Sequence, residues 1–366
     1  MQALILAGGE GTRLRPLTSS VPKPVVPLVD RPFIVFMIDW LRRHGVDDVI
    51  MSCGHLADGV RDVLGDGSGV GVRLRYVEEP KPLGTGGALK FAEEWLDERF
   101  LMLNGDVLTD LDLSSQLAEH ERTGARATLA LYPVEDPSAY GLVRLEADGA
   151  VREFVEKPSA DQIDTNNISA GAYVLEKSVL ELLTYGEKAS IERDVFPRLV
   201  GNGLFGHVLE GYWMDIGTPQ RYLEASFDIL EGNVQTEVSK RLGETFTCIE
   251  QGVTRDGRVI PPVLIEEGCV IGEGARVGGR AVLERGVRVG AHTVIESAVV
   301  MAGAEIGEHC ALHNCIVGPG VKIGDHCVID DMSVLGAGVS LGDGNTVSRG
   351  ARLFPNVSLP ERALLF

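Results

Sequence analysis

Cysteine is scarce in this chain and poorly spaced for pairing. The six cysteines, at 53, 248, 269, 310, 315 and 327, contain no CxxC pair and no dense short framework. That excludes a disulfide-stapled fold and points to reduced thiols. Long apolar runs are missing too, since none approaches the roughly 20 residues that cross a bilayer. Met1 leads straight into a short apolar run with no basic and apolar leader before it, so a cytoplasmic protein is expected. Positive charge is in deficit: 34 lysines and arginines against 53 acidic residues leave a formal charge of −19. Such a surface suits neither nucleic acid nor an anionic membrane. No Ser-His-Asp or Cys-His arrangement for nucleophilic catalysis stands out.

Apolar material, by contrast, is plentiful. With 366 residues, 44% of them hydrophobic, the chain exceeds one core and two domains are expected. Through about residue 232, short apolar or β-branched runs (Ala3–Leu6, Val49–Ser52, Leu74–Val77, Phe100–Leu103, Thr128–Tyr132) alternate with helical stretches. The predicted helices are Phe33–His44 stopped by Gly45, Gly86–Glu98, Leu113–Thr123 stopped by Gly124, and about Gln220–Glu231 before Gly232. This alternation predicts an α/β domain over 1–232, a Rossmann-like, mostly parallel sheet with helices on both faces. Residues 233–260 lose the rhythm and are expected to form a linker ending near Pro261-Pro262.

From 261 to 366 a six-residue period takes over. Ile265, Ile271, Val277, Leu283, Val289, Ile295 and Met301 fall six apart; a five-residue step leads to Ile306 and Leu312. Another such step leads to Val317, Ile323, Ile329, Leu335, Leu341, Val347 and Leu353. A small or β-branched residue often sits two places earlier (Cys269, Ala275, Thr293, Ala304, Cys310, Ser333, Ala351), with Asn345 the polar exception. Each hexad reads as one flat side of a coil with its aliphatic residue inward. Three hexads close a triangular turn, so about sixteen sites make about five coils. The pattern resembles the left-handed parallel β-helix of hexapeptide-repeat proteins. Four of the six cysteines take the small inward position, where packing is their expected role.

Leu6 to Pro24 reads LAGGEGTRLRPLTSSVPKP. Gly8, Gly9 and Gly11 let the backbone turn tightly and approach a ligand. Their N–H groups can converge on a phosphate, and Arg13, Arg15 and Lys23 follow with fixed positive charge. An apolar strand running into such a turn is where open α/β sheets bind nucleotides. Taken whole, the string resembles the signature of the sugar-1-phosphate nucleotidyltransferases, or nucleotide-sugar pyrophosphorylases. Over nearly the entire chain, including SIERDVFP at 190–197 and the hexapeptide tail, the layout is similar to the mannose-1-phosphate guanylyltransferase group.

The resemblance implies transfer of a nucleotidyl group from a nucleoside triphosphate to a sugar 1-phosphate. Both reactants are anions, so positioning and charge neutralisation dominate and no nucleophilic side chain is required. It implies nucleotide contacts from Leu6, Ala7, Gly8, Gly9, Gly11, Thr12, Arg13, Glu79, Gly84 and Thr85. Arg13 would face the triphosphate and Lys23 the phosphates at the reaction centre; the bland alternative for both is a solvated surface pair. Asp106, closing FLMLNGD, and Asp215, in GYWMDIGTP, each follow an apolar run. Alone, such an Asp reads as a turn cap; in the family context both are expected to hold Mg²⁺. Asp110, Asp112, Asp194 and Glu192 read as helix caps or solvated acids.

For the sugar phosphate, the resemblance assigns Glu156 to hydroxyls and Lys157 to the phosphate, with Tyr140-Gly141 and Asn167-Ile168-Ser169-Ala170-Gly171 as further pocket segments. Ser169 stands where many relatives carry Asn, which leaves the sugar open. The loop Glu79-Pro80-Lys81-Pro82-Leu83-Gly84-Thr85-Gly86 resembles the base-recognition loop. Thymidylyl- and uridylyltransferases of the family usually carry Gln where Glu79 stands. A carboxylate only accepts, and guanine offers two adjacent donors, so GTP is the expected triphosphate; the resemblance to the mannose-1-phosphate guanylyltransferase group implies mannose 1-phosphate as its partner. Glu79 as an exposed strand-end acid is the alternative. A glucose-1-phosphate enzyme using UTP, dTTP or ATP is the nearest rival function. An acetyl-CoA-dependent acyltransferase built on His292, His309, His313 or His326, or a non-catalytic regulatory subunit, follow behind. The β-helix is expected to serve assembly of a homo-oligomer and to brace the catalytic domain.

Overall fold

Alternating apolar runs and glycine stops produce the elements they predict, with four of the five expected strands extended by one residue at each end. The computed structural model describes residues 1–54 and 57–365. By its contacts the chain divides into two units, Met1–Gly9 with Ile34–Trp213, and Glu10–Phe33 with Met214–Phe366.

The first unit is built on a nine-stranded sheet. Its strands are β1 (Gln2–Leu6), β2 (Asp48–Cys53), β3 (Arg73–Glu78), β4 (Arg99–Asn104), β5 (Ala127–Pro133), β6 (Gly141–Leu145), β7 (Val151–Glu156), β8 (Asn167–Glu176) and β9 (Leu204–Val208). The main path runs β7-β6-β8-β4-β1-β2-β3, with β5 joining β8 to β9. β4, β1, β2 and β3 are mutually parallel, with Leu4 paired to both Ile50 and Met102. Beyond β4 the sheet turns mixed, because β8 runs antiparallel to β4 and β5.

Helices α1 (Phe33–Arg43), α2 (Ala57–Leu64), α3 (Gly84–Phe91) and α4 (Leu113–Thr123) lie between these strands in sequence. The helix expected over Gly86–Glu98 instead starts at Gly84 and yields to a 3-10 turn at Glu93–Trp95. Asp112 caps α4, its carboxylate accepting from Ser114 and Ser115 N–H, and Gly124 closes the helix in the left-handed region. Leu4, Phe100, Met102, Leu129, Leu131, Tyr173 and Phe196 pack in the core of this unit.

The second unit joins the Glu10–Phe33 segment to α5 (Pro219–Glu231), α6 (Glu237–Leu242) and a parallel β-helix. Thr218 caps α5 at its start and Gly232, at φ 76°, ends it. Tyr222 of α5 donates its hydroxyl to the Pro27 carbonyl at 2.7 Å, and the Arg280 guanidinium lies 4.8 Å above the Phe227 ring.

Successive coils pair in parallel, Val263 over Ala281 and Val294 over Ala311, so a coil takes 18 residues or 17 where a five-residue step falls. The expected inward residues form one core from Val263 to Val347, with one correction. Val300, not Met301, continues the column from Leu283 to Val317. The short step therefore falls between Ile295 and Val300; both neighbours being apolar, composition alone could not distinguish them.

The coil register also begins earlier than the expected linker allows. Thr247–Ile249 pairs with Val263–Ile265, Thr254–Arg255 with Val270–Ile271, and Arg258–Ile260 with Arg276–Gly278. Val253 and Val259, already in hexad phase with Ile265, pack against the β-helix core. Cys269, Cys310, Cys315 and Cys327 are free thiols buried in the β-helix.

Candidate active site

The expected site residues fall in both units. In the first, the nucleotide candidates gather at the carboxyl ends of parallel strands, where loops leave the sheet. Ala7 N–H donates to the Ser52 carbonyl at 2.8 Å, tying the exit of β1 to β2. Gly105 N–H donates to the Leu6 carbonyl at 2.9 Å, tying it to β4. A Cβ on Gly105 would lie 2.6 Å from that carbonyl oxygen, so only glycine lets the two exits meet. Asp106 follows directly. Leu6, Ala7, Gly8, Gly9 and Asp106 thus share one end of the sheet, and a Cβ on Gly8 would sit 3.7 Å from Glu79 Oε1.

Glu79 leaves β3 beside them. Its Oε1 accepts from Ser52 Oγ at 3.0 Å and its Oε2 from Leu83 N–H at 3.0 Å. The carboxylate is therefore held by two donors from separate segments, unlike a free strand-end acid. The loop then bends at Gly84, φ 74°, where a Cβ would meet the Ala189 carbonyl at 2.6 Å. Gly86 and Gly87 N–H donate to that same oxygen at 2.9 and 3.2 Å. Two of the first N–H groups of α3 are thus spent inside the protein.

Thr85 is braced likewise. It donates its hydroxyl to Glu192 Oε2 at 2.7 Å and accepts from Ile191 N–H at 3.0 Å. Glu192 also accepts from Ser190 Oγ at 2.6 Å. Read from sequence as a cap or solvated acid, Glu192 instead clamps the SIERDVFP segment to the base-loop helix. Asp194 accepts from Ser190 N–H at 2.7 Å, a local turn role. Asp110, read as a cap or solvated acid, instead accepts from Tyr212 N–H at 2.6 Å and ties two segments 102 residues apart.

The sugar-phosphate candidates cluster where β6, β7 and β8 meet. Glu156 pairs with Gly141 in register, and a Cβ on Gly141 would lie 3.2 Å from Glu156 Oε2. Burial pushes the Glu156 carboxyl above its ordinary value, and the Glu192 charge adds to the rise; Lys157 and Arg193 oppose it. Lys157 adopts φ 54° and donates its N–H to the Tyr140 carbonyl at 3.0 Å. Ser169 Oγ lies 3.0 Å from the hydroxyl of fully buried Tyr173, whose acidity burial suppresses.

Tyr140 is joined in this corner by Tyr132 and Trp213, to which the sequence reading gave no pocket role. Trp213 donates its indole N–H to the Ala170 carbonyl at 2.8 Å. Its ring lies 5.3 Å from Tyr140, edge to face, and 5.9 Å from Tyr132. The Tyr140-Gly141 motif was the available signal; the tryptophan, some seventy residues later, carried none.

In the second unit, Gly11 takes φ 60° and opens the 3-10 turn Thr12–Leu14. A Cβ there would lie 3.1 Å from Lys23 Cβ and from Thr18 Cγ2. Thr18 donates its hydroxyl to the Gly11 carbonyl at 2.8 Å. Arg13 and Asp215 converge on Gly217, whose missing Cβ would sit 3.1 Å from Arg13 Nη2 and 3.2 Å from Asp215 Oδ2. Arg221 forms an ion pair with Asp215. Thr12, Arg13, Lys23 and Asp215 thus occupy one unit, with fixed cations around a carboxylate. Among the described residues, no group of three or more His, Cys, Asp or Glu side chains is arranged to hold a metal ion. Nor is any helix there long and apolar enough to cross a membrane.

Parallel strands ending in glycine turns, acids at their exits and a basic loop define a nucleotide-handling α/β enzyme with a β-helix. Comparison with known proteins agrees. A family described as nucleotidyl transferase matches residues 2–232, and one described as GMPPB C-terminal domain matches 259–364. The mannose-1-phosphate guanylyltransferase of Mycobacterium tuberculosis is 36% identical over 81% of this chain and 83% of that protein. A probable mannose-1-phosphate guanylyltransferase of Oryza sativa is 37% identical over 82% of this chain and 86% of its own. The crystal structure of HddC from Yersinia pseudotuberculosis complexed with GMP-PN superposes with a TM-score of 0.54 at 30% identity, covering 62% of this chain and 97% of that one. This chain therefore belongs to the nucleotidyl transferase family and is a sugar-1-phosphate nucleotidyltransferase similar to the mannose-1-phosphate guanylyltransferases.

Proposed function

We propose that this protein joins GTP to mannose 1-phosphate, releasing pyrophosphate and GDP-mannose in the cytoplasm. A phosphate oxygen of the sugar phosphate attacks the α-phosphorus of GTP. The new P–O bond forms as the bond from that phosphorus to the bridging oxygen breaks, and pyrophosphate carries away the electron pair. Arg13 and Lys23 neutralise the phosphates, Leu6–Gly9, Gly11 and Thr12 cradle the triphosphate, and Lys157 receives the sugar's phosphate. Glu156, Gly141 and Ser169 read the sugar, with the braced Gly84-Thr85 turn shaping the base loop. Asp106 and Asp215 are the proposed Mg²⁺ ligands. Their hard oxygens suit that ion, which commonly takes one or two protein carboxylates and completes its shell with phosphate and water. When bound, Mg²⁺ supplies positive charge against the phosphates.

The observation that carries the guanine reading is the fixed Glu79 carboxylate, oriented by Ser52 and Leu83. Each carboxylate oxygen retains a further lone pair for a base donor, and guanine presents two donors side by side. Mannose is supported by the names of the relatives.

The test incubates purified protein and Mg²⁺ with each of GTP, UTP, dTTP and ATP against mannose and glucose 1-phosphates, measuring pyrophosphate. Highest kcat/KM for GTP with mannose 1-phosphate is expected. A preference for UTP, dTTP or ATP with glucose 1-phosphate overturns the substrate pair but keeps the chemistry, and no turnover with any pair overturns both. Light scattering tests the accompanying proposal that the β-helix supports a homo-oligomer, which a monomer would refute.

A further inference from the structure

We propose that Arg352, an exposed residue of the β-helix, positions the phosphate-binding turn and sets affinity for the nucleoside triphosphate. Arg352 pairs in register with Val334, beside Leu353, which lies under Leu335. Leu353 packs against the β-helix core, so strand alternation sends Arg352 outward. Its Nη1 donates to two carbonyls of the glycine-rich segment, Arg13 at 3.2 Å and Arg15 at 3.1 Å. Residues 339 and 337 positions apart in sequence are thereby joined within one unit.

Those two carbonyls complement the turn's own bonds. Leu14 N–H donates to the Gly11 carbonyl at 3.0 Å and Arg15 N–H to the Thr12 carbonyl at 3.3 Å. Leu14 is buried and anchors one side of the turn. Arg352 holds the opposite, exposed side through a charged donor, the stronger kind of hydrogen bond. Between these anchors sits Arg13, whose guanidinium reaches Gly217 beside Asp215. A backbone free to drift at Arg13 and Arg15 displaces that guanidinium, and catalytic positioning tolerates little displacement. One of the last coils of the β-helix thus holds the turn that carries the phosphate-binding arginine. Arg352 also adds a third guanidinium beside Arg13 and Arg15, which favours an incoming polyanion.

This inference rests on the nucleotidyl-transfer reading, so wild-type turnover is established first with its best substrate pair. Arg352→Ala is then expected to raise KM for the nucleoside triphosphate on the order of tenfold, the scale of one lost charge-assisted anchor, with KM for the sugar phosphate unchanged. Arg352→Lys, which keeps the charge but not the fork, should recover part of that loss. Lys322→Ala, another exposed β-helix strand cation, should leave both KM values unchanged. An unchanged triphosphate KM in an active Arg352→Ala overturns the proposal. So does a parallel loss in both KM values accompanied by a lower melting temperature, which a purely structural role would produce. Should Arg352→Ala fail to fold, Arg352→Lys alone decides: a selective rise in triphosphate KM supports positioning, and wild-type kinetics refute it. An inactive wild type instead counts against the functional reading; direct titration of GTP into wild type and Arg352→Lys then tests the turn, equal affinities overturning the inference.

Discussion

An ionised carboxylate accepts hydrogen bonds and donates none, and Glu79 has both oxygens tied to its own protein, at Ser52 and Leu83. Changing it to glutamine keeps the shape and replaces one acceptor with a donor. Glu79→Gln should therefore lower kcat/KM for GTP by roughly 10- to 100-fold, because an amide donor now faces guanine's donors. Parallel assays with UTP should show a smaller loss or a gain; equal losses for both nucleotides would remove Glu79 from base selection. The proposed metal ligands give a second test at this scale. Asp106→Asn should reduce turnover by at least about a hundredfold, and chelation of Mg²⁺ should stop it reversibly. Retained turnover in the chelator would refute metal dependence. The glycines were readable because their demand is local: a turn needs a missing Cβ, as at Gly11 and Gly84. Glu192 and Trp213 were not. Their partners, Thr85 and Ala170, lie 107 and 43 residues away, and neither residue type announces such a clamp.

Elements were legible where a chemical rule repeats or a cap is explicit. Gly124, Gly232 and Asp112 bound their helices as expected because each satisfies backbone groups that the helix leaves over. Hexads repeat often enough that phase survives single exceptions, yet the slip from Met301 to Val300 shows that period alone cannot choose between apolar neighbours. Asn345, the polar exception in the pattern, has a clear structural role. Buried, it donates through Nδ2 to the Gly342 and Pro360 carbonyls at 2.7 and 3.0 Å and accepts from Leu364 N–H at 2.8 Å. It fastens the final coil to the one before. Asn345→Ala should leave these groups unpaired and cost about 1–3 kcal/mol of β-helix stability. Denaturant melts should register the loss, with hydrogen exchange accelerating first between Thr346 and Leu365; unchanged protection there would contradict this role.

At the scale of the whole molecule, the division of contacts cuts across the order of the sequence: Glu10–Phe33 belongs with a β-helix that begins more than two hundred residues later. Hexad spacing reveals the coils but not what packs on them. One consequence is an electrostatic load at Glu284. It is buried, with Oε2 accepting from Ala302 N–H at 3.0 Å and no hydrogen-bond partner among the described residues for Oε1. Burial, reinforced by the negative charges of Glu266 and Asp30, pushes its carboxyl up to about 8 against only the Ala302 bond. Tyr222 of α5 is close enough for the Glu284 charge to raise its own pKa further. The folded state thus holds a proton that the unfolded chain releases near its ordinary value of 4.5. This group's contribution is fully present below about pH 4.5 and is lost progressively as pH rises through about 8. Glu284→Gln keeps the neutral shape at every pH. Thermal melts from pH 6 to 9 should show wild type losing ground to Glu284→Gln steadily as pH rises towards about 8, the gap levelling off above it. Parallel curves for the two proteins would mean that Glu284 is already ionised in the fold at neutral pH, with a counter-charge or water reaching Oε1.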